Sequence, residues 1–114
     1  MSAIVYTCSM RIVKIAQLQN QKSPLLEWLN SLDKQTKIRI QSRLTRLLEG
    51  NLGDYKKIDE EIYELRLQFG AGYRIYFAQV DEIIILLLNG GDKSTQKKDI
   101  LKARNIFQEW RKLQ

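Results

Sequence analysis

The sequence predicts an α+β domain built from an N-terminal strand, a two-helix hairpin, a three-stranded antiparallel meander and a C-terminal helix. Apolar and polar residues alternate along residues 11–18 and 62–80, which is typical of half-buried strands. In residues 24–49 and 92–112 apolar residues recur every three or four positions, which is typical of amphipathic helices. Residues 83–88 form an unbroken aliphatic run, which predicts a strand covered on both faces.

The composition is that of one folded domain. The chain has 114 residues, of which 44% are hydrophobic, and one proline. This length suffices for one buried core but not for two, so we expect a single domain over residues 11–114 after a flexible N-terminal segment, residues 1–10. One cysteine and no histidine exclude an intrachain disulfide and an ordinary Cys/His zinc site. We therefore expect no metal site and no cofactor.

The expected location is the cytoplasm. The longest apolar run, Ile83–Leu88, is much shorter than the roughly 18 residues that a membrane-spanning helix needs. The N-terminal segment has no lysine or arginine before its weakly apolar stretch, so it lacks the charged start of a signal peptide.

The first half of the chain predicts a strand followed by two helices. Residues 11–18 alternate imperfectly, which favours an edge strand. Ser23 and Pro24 are typical of a helix start, and the leucines that follow, together with Trp28, supply a core-facing side. This helix is predicted to end near Asp33.

The second predicted helix runs from about Lys34 to Glu49. Its outward side carries arginines at helical spacing: Arg39, Arg43 and Arg46. Gly50 follows where a left-handed C-cap residue belongs. The polar, acidic residues 55–61 are predicted to form a loop.

A glycine-rich turn determines which side chains share a face in the first hairpin. If residues 70–72 form a three-residue loop, Gln68 pairs with Arg74 and Arg66 pairs with Tyr76. A two-residue loop would instead place Arg74 among aliphatic side chains, which is costly. The favoured register collects the polar side chains on one face: Glu64, Arg66, Gln68, Arg74 and Tyr76.

The end of the chain predicts an interior strand and a long helix. Gly90 and Gly91 end the aliphatic strand, and either Asp92 or Ser94 could cap the helix, which runs to about Lys112. Its predicted buried stripe consists of Ile100, Ala103, Phe107 and Trp110.

The net charge of +6 is unevenly distributed. Residues 1–50 contain eight Lys or Arg and three Asp or Glu, residues 51–92 contain four and eight, and residues 93–114 contain seven and two. Two basic blocks thus flank an acidic middle. Such blocks attract polyanions such as RNA, but lysines on solvated helix surfaces would give the same charge pattern.

Three motifs carry a family resemblance. YELR, GAGYRIYF and GGDKSTQKKDI, in this order after a helical hairpin, resemble the RelE/ParE toxin superfamily of bacterial toxin–antitoxin modules, and most closely its HigB-like addiction module killer proteins. The resemblance covers about residues 11–112. It implies a RelE-like fold and a ribosome-dependent mRNA endonuclease that inhibits translation. It also implies a cognate antitoxin, which in this branch is a helix-turn-helix DNA-binding protein.

The resemblance also implies site residues. The basic residues that act on the scissile phosphate fall on Arg66, Arg74 and Lys93, and arginine suits this role because it remains charged and offers two donors to phosphate. The Tyr or His that many relatives carry early in the last helix is missing here, which leaves Asp99, Tyr73 or Tyr76 for proton transfer. Further RNA contacts are expected from Arg43, Arg46, Tyr76, Lys97, Lys98 and Lys102.

Two other functions remain open at this point. A toxin of the same fold could bind DNA gyrase without being an enzyme, as ParE-type relatives do. Alternatively, the chain could be a basic RNA-binding module without activity.

Overall fold

The computed structural model of the chain describes residues 5–8, 11–82 and 84–114. In chain order the elements are β1 (Val5–Cys8), β2 (Arg11–Ile15), α1 (Pro24–Asn30), α2 (Lys34–Leu48), β3 (Tyr55–Lys57), β4 (Ile62–Arg66), β5 (Arg74–Val80), β6 (Ile84–Gly91) and α3 (Gln96–Lys112). The α+β fold class and the order of its predicted elements are confirmed. No helix in the described ranges is long and apolar enough to cross a membrane.

The described strands form one sheet in the order β1-β2-β6-β5-β4-β3. Its neighbours are antiparallel except β2 and β6, which are parallel. Helices α1 and α2 cover one face and α3 covers the other, so each face has its own hydrophobic core. As predicted, the aliphatic strand β6 lies inside the sheet and is buried on both faces.

Two strands lie where the sequence predicts none. Strand β1 pairs with β2, so residues 11–15 are not an edge strand. Strand β3 lies in the segment predicted to be a loop, and its three side chains are all exposed. Because β3 is held by backbone pairing with β4 and has no buried face, it lacks the apolar alternation that predicts a strand. Of the segment predicted to be flexible, residues 1–4, 9 and 10 lie outside the described residues.

The hairpin register differs from the prediction by two residues. Arg66 lies directly opposite Arg74, and Glu64 lies opposite Tyr76. The connection is longer than three residues: the Leu67 N–H donates to the Tyr73 carbonyl at 2.9 Å, and the chain then turns through glycines 70 and 72, both with positive φ. A shift of two residues preserves the face of every side chain, so Glu64, Arg66, Arg74 and Tyr76 still share one face. Gln68, also predicted there, lies beyond the end of β4, and its side chain donates to Asp54.

A bulge in β6 changes which helix each of its last residues faces. Phe77 pairs with Leu87, but Tyr76 pairs with Asn89, so β6 contains an extra residue, Leu88. Such a bulge reverses the alternation of faces beyond it. The Asn89 side chain therefore turns toward α3, and Gly90 lies against α1.

The start of the last helix is capped as predicted. The Asp92 side chain accepts from the Ser94 N–H at 2.8 Å, and residues 93–95 form one 3₁₀ turn before α3 begins at Gln96. Of the predicted buried stripe, Ala103, Phe107 and Trp110 are buried and Ile100 is partly buried. The first helix ends at Asn30, slightly before the predicted Asp33.

Candidate functional site

A buried carboxylate, Glu64, lies between two arginines. Its side chain is 1% exposed, and its oxygens lie 3.3 Å from Arg66 Nε and 3.4 Å from Arg74 Nε. Gln96, at the start of α3, donates its Nε2 hydrogen to the same carboxylate at 2.6 Å. Because a buried charge is costly unless it is paired, these contacts fix Glu64. Arg66 Nε donates a hydrogen bond to Glu64, whereas Arg74 Nε approaches it as an ion pair without a hydrogen bond. The sequence places Glu64 on this face, but it does not reveal that both arginines pair with it.

The two arginines differ in exposure. The Arg74 side chain is 15% exposed, and its Nη1 donates to the Gly72 carbonyl at 2.7 Å. The Arg66 side chain is 36% exposed. Arg74 is therefore held on two sides, by Glu64 and by the hairpin loop, whereas Arg66 presents more of its surface to solvent.

Lys93 lies next to the hairpin loop. Its N–H donates to the Ala71 carbonyl at 3.3 Å, and its side chain is exposed. The Lys93 Cβ and the Arg74 Nη1 lie 3.3 and 3.4 Å from the position that a Cβ on Gly72 would occupy. The structure thus brings Lys93 beside Arg74, and Arg74 lies opposite Arg66. These three residues are called the basic cluster below.

Tyr76 is not part of the exposed surface. Its side chain is fully buried, and its hydroxyl has no hydrogen-bond partner among the described residues. Burial, and then the charges of Glu64 and Asp99, raise the pKa of the Tyr76 hydroxyl well above its usual range. Full burial keeps Tyr76 away from any RNA, contrary to the prediction, and a hydroxyl with a raised pKa is poorly suited to proton transfer.

The two other proton-transfer candidates have defined neighbours. The Asp99 carboxylate accepts from Thr95 Oγ1 at 2.5 Å and lies against Gly91, the residue that pairs with Arg74. Tyr73 is partly buried and packs against Trp28, with 6.2 Å between ring centroids. Asp99 is therefore linked to the basic cluster through the sheet, and Tyr73 belongs to the packing around α1.

An arginine-rich groove of about 560 Å³ lies between α2 and the end of β4. It is called the arginine groove, and its cationic side chains are Arg39, Arg43, Arg46 and Arg66. Arg39 stacks on the Phe69 ring at 4.0 Å, and Arg46 is exposed. Because Arg66 lines this groove and belongs to the basic cluster, the two are continuous. Arg39 belongs to the row of outward arginines predicted for the second helix, but it was not among the predicted site residues.

Arg43 has a structural role within this groove. Its guanidinium donates to the carbonyls of Asn51, at 3.2 Å, and Leu52. Burial, and then the charge of Arg46, lower the pKa of Arg43. Arg43 therefore anchors the loop after α2, whereas Arg46 is exposed in the same groove.

The three lysines on α3 that were predicted to contact RNA do not lie together. Lys98 and Lys102 line a groove of about 520 Å³ between α1 and the start of α3, called the α1/α3 groove below. Lys97 is exposed but lines neither groove. No cluster of three or more Cys, Asp or Glu side chains in the described part of the chain is placed to hold a metal ion.

Comparison with known proteins shows to which family this chain belongs. Residues 27–108 match the model of the family described as Phage derived protein Gp49-like (DUF891). An uncharacterized protein of Haemophilus influenzae is 45% identical over 83 residues, which cover 72% of this chain and 84% of that protein. The range matched by the family model includes the end of α1, all of α2 and the whole basic cluster. The chain therefore belongs to the Gp49-like family of phage-derived proteins, a RelE-like family related to toxin–antitoxin modules.

Proposed function

We propose that this protein is the toxin of a type II toxin–antitoxin module and that it cleaves mRNA on the ribosome, as HigB-like toxins do. The observation that carries this proposal is the basic cluster, in which Arg66 and Arg74 lie opposite each other beside Lys93. The membership in a RelE-like family supports it. The proposed site of action is the cytoplasm, where translating ribosomes are found.

The proposed chemistry needs groups that stabilise negative charge on a phosphate. Cleavage of RNA by its own 2′-hydroxyl places additional negative charge on the phosphate oxygens in the transition state. Guanidinium groups stay protonated and can offer two parallel donors, so Arg66 and Arg74 suit charge stabilisation. Their attachment to Glu64 holds them in place before the RNA binds, which lowers the cost of organising the site.

The arginine groove would extend this site along the RNA. Its cationic side chains Arg39 and Arg46 lie on α2, and Arg66 connects the groove to the basic cluster. Arginines along a groove bind a phosphate backbone without reading its sequence.

The proposed inhibitor is an antitoxin with a helix-turn-helix DNA-binding domain. An acidic segment of that protein placed over the basic cluster would block RNA by charge complementarity.

Induced expression in bacteria, with sequencing of the 5′ ends of cellular messages, tests the proposal. We expect growth arrest and new message ends within translated regions. Arg74→Ala should reduce cleavage by about 10²-fold, the scale of removing one charge-stabilising donor. Lys112→Ala, an exposed lysine at the far end of α3, is the matched control and should leave arrest unchanged.

Two results would contradict the proposal. Intact messages together with DNA damage would identify a gyrase-directed toxin. Harmless overexpression of the folded protein would indicate an RNA-binding module without activity.

A further inference from the structure

Strand β3 carries two exposed lysines that face opposite sides of the sheet. Lys56 pairs with Glu64, and Lys57 pairs with Tyr63. Residues directly opposite each other in an antiparallel pair share a face, and neighbours along a strand alternate between faces. Glu64 accepts from Gln96 of α3, whereas Tyr63 packs against the core that α1 and α2 cover. Lys56 therefore lies on the α3 face, which is also the face of Arg66 and Arg74, and Lys57 lies on the other face.

Lys56 continues the line of cations by one strand. Arg74 lies on β5, Arg66 on the neighbouring β4, and Lys56 on β3, which pairs with the other side of β4. Because adjacent strands are about 4.8 Å apart, these three strands span about 10 Å. Arg66 follows Glu64 by two residues on the same face, so Lys56 and Arg66 are diagonal neighbours. Long side chains can contact each other, or one shared ligand, across such a diagonal.

The ammonium group of Lys56 is not used within the described part of the chain. It forms no ion pair or side-chain hydrogen bond with any described residue. The Glu64 carboxylate opposite it is buried and already lies between the two arginines. The Asp54 carboxylate, two residues before Lys56, accepts from Gln68. Lys56 is therefore an exposed cation that can bind an external anion.

Arg66 lies between two basic surfaces. The arginine groove extends from it toward α2, and Lys56 lies beyond it on the α3 face. An RNA chain with its reacting phosphate at Arg66 and Arg74 would thus meet cations on both sides of that phosphate. The lysines of the α1/α3 groove do not lie along this path, because that groove is at the end of β6, and β5 and β4 separate β6 from β3.

We infer that Lys56 binds the RNA phosphate next to the one held by Arg66 and Arg74. An ammonium group acts on a phosphate as a point charge and does not read the base. Lys56 therefore adds affinity and fixes the position of the RNA, but it does not select a sequence. This inference rests on the proposed function, because it takes RNA as the ligand.

Both lysines of β3 also have a simpler role. Lysine on an exposed edge strand discourages pairing with the strand of another molecule. That role, and attraction of RNA by overall charge, would involve Lys56 and Lys57 equally, since the two residues are adjacent, exposed and equally charged. A phosphate contact on the α3 face, in contrast, involves Lys56 alone.

Substitution of the two lysines, one at a time, tests the inference on the purified full-length protein. Fluorescence anisotropy with a labelled uridine hexamer gives Kd at several salt concentrations. We expect Lys56→Ala to reduce the slope of log Kd against log salt concentration by about 0.7 and to raise Kd about fivefold at about 0.1 M salt. Lys57→Ala should change neither quantity, and Lys56→Arg should retain the slope of the unsubstituted protein.

Three results would overturn the inference: an unchanged slope in Lys56→Ala, equal effects of Lys56→Ala and Lys57→Ala, or no binding of the hexamer by the unsubstituted protein. Both side chains are exposed, so all three variants should fold, which circular dichroism checks.

The outcome in cells distinguishes this inference from the proposed function. A loss of RNA binding specific to Lys56→Ala, without message cleavage by the unsubstituted protein, would overturn the proposed activity and support the phosphate contact. Message cleavage together with equal effects of the two alanine substitutions would overturn this inference alone.

Discussion

Arg66 and Arg74 lie directly opposite each other in the β4–β5 ladder, and the buried Glu64 carboxylate lies within 3.4 Å of the Nε atoms of both. Like charges at opposed strand positions repel each other. Glu64 compensates this repulsion and leaves the pair with one net positive charge. The same contacts that stabilise the hairpin thus hold the two arginines ready for an anion.

The first prediction concerns this carboxylate. Glu64→Gln keeps the shape of the side chain but leaves a largely buried Arg74 without its counter-ion, so we expect the free energy of unfolding to fall by about 3 kcal/mol. Urea unfolding followed by circular dichroism measures this change.

Glu61→Gln provides a matched control. Glu61 forms an exposed ion pair with Arg111, and such pairs contribute about 0.5 kcal/mol. Equal effects of Glu64→Gln and Glu61→Gln would show that burial of Glu64 is energetically unimportant.

The second prediction concerns the arginine groove. If Arg46 contacts a phosphate, Arg46→Ala should reduce the slope of log Kd against log salt concentration by about 0.7 for single-stranded RNA. Fluorescence anisotropy with a labelled oligoribonucleotide at several salt concentrations gives this slope. Lys34→Ala, an exposed lysine at the other end of α2 that does not line the groove, should leave the slope unchanged. An unchanged slope in Arg46→Ala would place the RNA elsewhere.

The third prediction concerns the contact between Gly90 and Trp28. The φ angle of Gly90 is not positive, so alanine is excluded there by the Trp28 ring and not by backbone strain. We expect Gly90→Ala to lower the free energy of unfolding by about 2 kcal/mol, as overpacking does. In a Trp28→Ala background the same substitution should cost much less. A double-mutant cycle measures this coupling, and additive effects would contradict the proposed steric cause.

The fourth prediction concerns alkaline pH. Because the pKa of the Tyr76 hydroxyl is raised in the native state, the folded protein keeps a proton that the unfolded chain releases above a pH of about 10. The unfolded state then binds fewer protons, so stability should fall as the pH rises beyond that value. Thermal unfolding from pH 8 to pH 11 should show a smaller fall for Tyr76→Phe than for the unsubstituted protein. Identical pH profiles would show that Tyr76 ionises normally.

Local patterns predicted most of the elements. The three helices follow from apolar spacing and from end signals such as Pro24 and Asp92, because these act within one or two turns. The burial of β6 on both faces follows from its unbroken aliphatic run. Strand β3 was missed because its three side chains are all exposed, so it shows no apolar alternation, and its backbone pairing with β4 leaves no mark in its composition.

For the candidate site, the sequence by itself determined that Glu64, Arg66, Arg74 and Tyr76 share one face of the sheet. That result survived an error in register, since a shift of two residues leaves every side chain on its face. Tertiary structure alone decided that Tyr76 is buried, that Glu64 holds both arginines, and that a bulge at Leu88 turns Asn89 toward α3. These features depend on how neighbouring strands pair and on how α3 packs against the sheet, and periodicity within a single strand carries no information about either.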